Sequence, residues 1–65
     1  MRIDYRKFFI ACSNAQTSMR ELLNKSSVSF TTLSKIKHNK PLQPRTIGKL
    51  AAALGVPAES LLADE

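Results

Sequence analysis

The sequence predicts an all-α fold, a compact bundle of five short helices in a single domain over residues 1–65. Three observations carry that reading. Apolar residues recur three and four positions apart in several segments, and apolar–polar alternation of the strand type appears nowhere. Helix-start residues (Asp4, Ser18, Ser29, Pro44, Pro57) stand ahead of those segments, and helix-stop residues (Asn39, Gly55) follow two of them. The 65 residues suffice for one small core, and Cys12 and His38 are the only residues of their kinds, so neither an internal disulfide nor a zinc cluster can brace it. Packed helices are the remaining route to stability.

The first helix is expected over about residues 5–14. Asp4 suits the N-cap and Ile3 can staple onto Phe8. Tyr5, Phe8, Phe9 and Cys12 fall at i, i+3, i+4 and i+7, one apolar stripe on which Cys12 is a small core residue. The second helix, about 19–25, opens on Ser18-Met19-Arg20-Glu21. This is a capping box, in which the Ser18 hydroxyl takes the Glu21 amide and the Glu21 side chain returns to the Ser18 amide. Leu22 and Leu23 are its apolar pair, and Asn24-Lys25-Ser26-Ser27 ends it. The third helix, about 30–38, is capped by Ser29, with Val28 and Leu33 placed as a staple and Asn39 as a left-handed terminator ahead of Pro41.

A short basic loop, residues 40–44, leads to the fourth helix at about 45–54. Pro44 fits its first turn, where a missing amide costs nothing; Leu42 can pack on Ile47, and Gly55 is a left-handed cap. Pro57 opens a fifth helix at about 58–62, with Leu61 and Leu62 as its apolar residues and Glu59 in the first turn. Ala63-Asp64-Glu65 are expected to fray. The expected core is Phe8, Leu22, Leu33, Ile36, Ile47, Leu50 and Leu54.

Charge narrows the function classes. Ten Lys and Arg against five Asp and Glu leave a net charge of +5. Between Glu21 and Glu59 there is no acid, while Lys25, Lys35, Lys37, Lys40, Arg45 and Lys49 all lie there. Such an interval favours a polyanion, because each neutralised phosphate releases counterions; a solubilising surface is the plainer alternative. The pattern beneath the charge shifts the balance. Two capped helices joined by a tight turn, the second presenting Thr31, Ser34, Lys35 and His38 outward with Leu33 and Ile36 inward, are the sequence form of a DNA-reading helix-turn-helix.

On these residues the chain resembles the lambda-repressor-like, or XRE-family, helix-turn-helix proteins of the phage repressor type. The matching pieces are Ser18-x-x-Glu21-Leu22, Val28-Ser29-x-x-Thr32-Leu33-Ser34-Lys35-Ile36, Pro44-x-Thr46-Ile47-x-Lys49-Leu50-Ala51-x-Ala53-Leu54-Gly55-Val56 and Glu59-x-Leu61-Leu62. Each is weak alone; their order and spacing are fairly specific. Four positions depart from the family pattern: Met19 for a Gln, Leu23 for a small Ala, Ser27 for the turn Gly and Thr17 for an apolar residue.

The resemblance implies a five-helix bundle whose third helix enters the major groove, with helices 2 and 3 as the helix-turn-helix. Base contacts then fall to Phe30, Thr31, Ser34 and Lys35, with Lys35 donating to guanine and Phe30 either covering a thymine methyl or lying on the domain's own surface. Phosphate contacts fall to Ser18, Met19 and Arg20 at the start of helix 2 and to Lys37, His38, Asn39, Lys40 and Arg45 on the other side. The expected function is sequence-specific binding of double-stranded DNA as a transcriptional regulator, a repressor of phage or mobile-element type. The chain is expected to bind DNA as a homodimer, through Val56, Leu61 and Leu62 unless these leucines simply finish the monomer core.

A second class stays open: a protein-interaction module of the same fold, such as an antitoxin or adaptor, supported by Leu23, Met19 and Phe30 at unusual positions. A membrane-surface binder is disfavoured, since the helices lack a long aromatic face. No enzyme is expected, because no nucleophile–base–orienter set or Gly-rich phosphate loop can be nominated. No cofactor, metal, small-molecule ligand or membrane partner is expected, and the location expected is cytoplasmic.

Overall fold

The computed structural model describes residues 1–63 and is all-helical, with four α-helices and no strand among them. The helices are α1 (Tyr5–Asn14), α2 (Met19–Ser26), α3 (Phe30–Lys37) and α4 (Pro44–Leu54). The expected fifth α-helix is instead a single 3-10 turn, Ala58–Leu61. Four residues between Pro57 and the extended Leu62 leave no room for a repeating i→i−4 ladder.

The helix starts follow the sequence unevenly. The Asp4 carboxylate accepts from the amides of Arg6 (2.8 Å) and Lys7 (3.2 Å). The Ser18 hydroxyl accepts from the Glu21 amide at 3.0 Å and donates to the Glu21 carboxylate at 3.3 Å, so the capping box closes hydroxyl to carboxylate, without the expected bond to the Ser18 amide. Ser29 sits at the N-cap of α3 in extended conformation, but its side chain makes no capping bond. Its carbonyl takes the Thr32 amide at 3.1 Å instead. Pro44 occupies the first turn of α4.

All four helices end in the same way. A residue in the left-handed region follows each of them: Gln16 (φ 55°), Ser27 (φ 59°), Asn39 (φ 56°) and Gly55 (φ 73°). The amide after it reaches back five residues, Thr17 to Cys12 (3.1 Å), Val28 to Leu23 (3.0 Å), Lys40 to Lys35 (2.8 Å) and Val56 to Ala51 (3.1 Å). These are four Schellman caps, which satisfy carbonyls that the helix leaves without partners. Asn tolerates this backbone region and Gly adopts it freely, whereas Gln and Ser hold it against a steric penalty.

The core gathers Ile3, Phe8, Cys12, Leu22, Leu23, Ile36, Leu42, Ile47, Leu50, Ala51, Leu54 and Leu61. Leu33, expected there, is only half-buried, and Thr32 is buried in its place. The expected four-residue stripe on α1 narrows to Phe8 and Cys12. Tyr5 and Phe9 are exposed, Phe9 by 56%. Only α2 and the 3-10 turn pack closely on α1, and the arc they cover admits one i, i+4 pair. Burial pushes the Cys12 thiol pKa up, as suits a core thiol.

Of the three residues expected at a contact between copies, Leu61 is fully buried within the single chain, as in the alternative that the leucines finish the monomer core, while Val56 and Leu62 are half-buried. Leu62 pairs with Ile3 in an isolated antiparallel bridge flanked by Asp4 N–H to Leu61 O and Ala63 N–H to Arg2 O, both 2.9 Å. Ala63 is therefore tied down where fraying was expected; Asp64 and Glu65 lie outside the described residues. The chain start also pairs with the α3–α4 loop, the Leu42 amide donating to the Met1 carbonyl at 2.6 Å.

Candidate nucleic-acid interface

α3 turns Phe30, Thr31, Ser34, Lys35 and Lys37 to solvent and Thr32 and Ile36 to the core, with Leu33 between. At 3.6 residues per turn, Phe30, Thr31 and Ser34 form the middle of the free face, with Lys35 on one edge and Lys37 on the other. The face is uncharged at its centre and cationic at its margins. Behind it, Leu22, Leu23 and Ile36 are buried, which fixes how α3 is held against α2. The three-residue connection, Ser27-Val28-Ser29, is set by the left-handed Ser27 and by the bond from Val28 to Leu23.

The start of α2 lies beside the start of α3. The Arg20 guanidinium carbon stands 5.6 Å from the centroid of the Phe30 ring, within cation–π range. Both side chains are exposed, Phe30 by 53%. Of the other residues expected there, Ser18 is exposed but its hydroxyl is already engaged by Glu21. Met19 packs its side chain partly into the core, so only its amide could face an anion.

His38, Asn39 and Lys40 follow α3 in its Schellman cap, all exposed, and Arg45 is exposed in the first turn of α4. The macrodipole places partial negative charge at the end of α3, which Lys35 and Lys37 in its last turn offset. Lys37 and Asn39 face a different neighbourhood from Arg20 and Phe30. They line an open cleft of about 540 Å³ with Asp4, Tyr5, Arg6 and Ile36. No sequence signal marks Tyr5 and Arg6 as neighbours of these residues. No spacing rule joins positions some thirty residues apart, and the one available signal, the Asp4 cap, fixes only where α1 begins.

Two residues cited for a protein-interaction role, Leu23 and Met19, are accounted for by packing: Leu23 is fully buried and Met19 partly so. Phe30 remains as the unpacked one. Among the described residues no helix is long and apolar enough to cross a membrane, and no three His, Cys, Asp or Glu side chains come together as a metal site would need.

What the residues define is a small all-helical protein with a hydroxyl-, amine- and ring-bearing helix on its surface. Comparison with protein-family models, with curated proteins and with solved structures finds no match for the chain.

Proposed function

We propose that this chain is a lambda-repressor-like, XRE-family transcriptional regulator that binds double-stranded DNA sequence-specifically, a repressor of phage or mobile-element type, with α2 and α3 as its helix-turn-helix and α3 in the major groove. The observation that carries the reading is the free face of α3. Phe30, Thr31, Ser34 and Lys35 are exposed together on a helix whose opposite side is anchored in the core, and no acid occurs from residue 22 to residue 58. Hydroxyls and an amine match the donors and acceptors of base edges, and the ring matches a thymine methyl. Arg20 on one side and His38, Lys40 and Arg45 on the other would bear on phosphates, fixing register without reading sequence, while Lys37 and Asn39 line the separate cleft with Tyr5 and Arg6.

Half-sites one helical turn apart would require two copies on the duplex. With Leu61 enclosed in the monomer, the contact between copies would fall to the half-buried Val56 and Leu62. Selection of bound duplexes from a random pool tests the whole reading. Enriched, inverted-repeat sites are expected, together with affinity that falls steeply with salt. Equal, weak binding to every duplex would overturn sequence-specific recognition.

A further inference from the structure

Phe30 is an exposed ring outside the core, and among the exposed large apolar side chains it is the one that lies on α3. At the first position of that helix it is 53% exposed, and Arg20 lies over it at 5.6 Å. The pair joins α2 to α3 across the outside of the helix-turn-helix, beside Thr31 and Ser34. A guanidinium over an aromatic ring keeps its outer N–H groups available and favours that mutual placement of the two side chains. The exposed part of the ring then stands as an apolar surface at the end of α3 that leads toward base edges in the proposed groove.

We infer that Arg20 and Phe30 act as one recognition unit for a thymine in double-stranded DNA: the ring takes the 5-methyl group that projects into the major groove, and the stacked guanidinium bonds the adjoining phosphate. The inference rests on the DNA-binding reading and names the base class read at one position. Among the four standard bases only thymine carries a methyl on its major-groove edge, so an apolar ring there discriminates it from unmethylated cytosine and from both purines. The net charge of +5 and the acid-free interval supply the complementarity that brings a polyanion to this face. Burying one methyl stabilises the complex by an amount corresponding to about four-fold in affinity. Arg20 is the positioning residue, because its guanidinium lies over the ring at 5.6 Å.

The test uses duplexes selected from a random pool by the whole chain. One thymine at a fixed place in each half-site is expected in the enriched sequences. The best duplex is then rebuilt with deoxyuridine at each thymine in turn, which deletes the methyl and nothing else. Wild-type protein is expected to lose about four-fold in affinity at one position per half-site. Phe30→Ala is expected to bind the thymine and uracil duplexes equally. Arg20→Ala is expected to bind both more weakly and to show a reduced thymine-to-uracil ratio. Both side chains are exposed, so the variants should melt as the wild type does, and the wild-type comparison needs no variant at all.

Equal binding of thymine and uracil duplexes by the wild type would overturn the inference while leaving DNA recognition standing. So would full discrimination retained by Phe30→Ala. A ratio unchanged in Arg20→Ala would overturn the paired unit and leave Arg20 as an ordinary phosphate contact. A pool that enriches no sequence would overturn the DNA reading and this inference together.

Discussion

α2 and α3 are each eight residues long and close with the same cap, yet the side chains at equivalent places in the two caps are opposites. In α2 the two residues joined by the backward bond are Leu23, fully buried, and Val28, half-buried against the core. In α3 they are Lys35 and Lys40, both exposed. A Schellman cap is ordinarily accompanied by an apolar contact between these two places, and α2 has it. α3 has two like charges there. The backbone geometry is kept at α3 without the contact that usually supports it. Lys35 there offsets the partial negative charge of the helix end, and both lysines stay exposed, where the proposed function would use them against a polyanion.

The contrast can be broken most forcefully from the α2 side. Leu23→Ala should cost about 2–5 kcal/mol, since it empties a fully enclosed position, and urea denaturation should show a large fall in midpoint. Lys35→Ala in the matching place should leave the midpoint within about 0.5 kcal/mol of wild type. It should instead cost about 1–3 kcal/mol in DNA affinity, concentrated at one base position, by binding to a panel of single-base variants. Lys40→Ala should weaken all sequences alike and lower the salt slope by about 1. A Lys35→Ala protein that melts early, or a Lys40→Ala protein with an unchanged salt slope, would erase the distinction drawn between the two caps.

Giving α3 the cap of α2 sharpens the same comparison. The double change Lys35→Leu, Lys40→Val should raise stability by about 0.5–2 kcal/mol while removing DNA binding, read by thermal melts and gel shifts on one preparation. A smaller effect is expected at the left-handed positions. Ser27→Gly should stabilise by roughly 0.5–1 kcal/mol, because glycine accepts positive φ without the clash that serine carries. Asn39→Gly should change less, since asparagine already tolerates that region.

Smallest is a pH effect at Cys12. Burial raises its thiol pKa above the usual 9.0, so the folded protein holds that proton longer than the unfolded chain does. The stability this contributes is intact below pH 9.0 and drains away as pH climbs through the folded value. Cys12→Ala should therefore show a shallower alkaline decline in midpoint than the wild type, whatever its stability at neutral pH.

How much of this was legible in the residues follows from the range of each signal. Asp4, Ser18, Pro44, Asn39 and Gly55 were readable because caps depend on chemistry within a few positions. Gln16 was not, since glutamine is no marker of left-handed backbone; it is placed there by the turn that brings α2 against α1. Ser29 has the right residue type in the right place, and still the Thr32 amide goes to its carbonyl. Periodicity marked Tyr5 and Phe9 as inward because it reports spacing and not how much of a helix its neighbours cover. The outward places of Thr31, Ser34 and Lys35 could be read from the sequence, as the complement of Leu33 and Ile36. The juxtapositions of Arg20 with Phe30, and of Lys37 and Asn39 with Tyr5 and Arg6, depend on angles between helices that no local pattern encodes.

The Leu42 amide bonded to the Met1 carbonyl has a kinetic consequence. It joins residues 41 positions apart in a chain of 65, so the segment leaving α3 gains this anchor only after α1, α2 and α3 have been brought round to the chain start. The acceptor belongs to Met1, which is 55% exposed, so the Leu42 proton should exchange with deuterium through local opening of this contact, ahead of the deepest core amides, although Leu42 itself is buried.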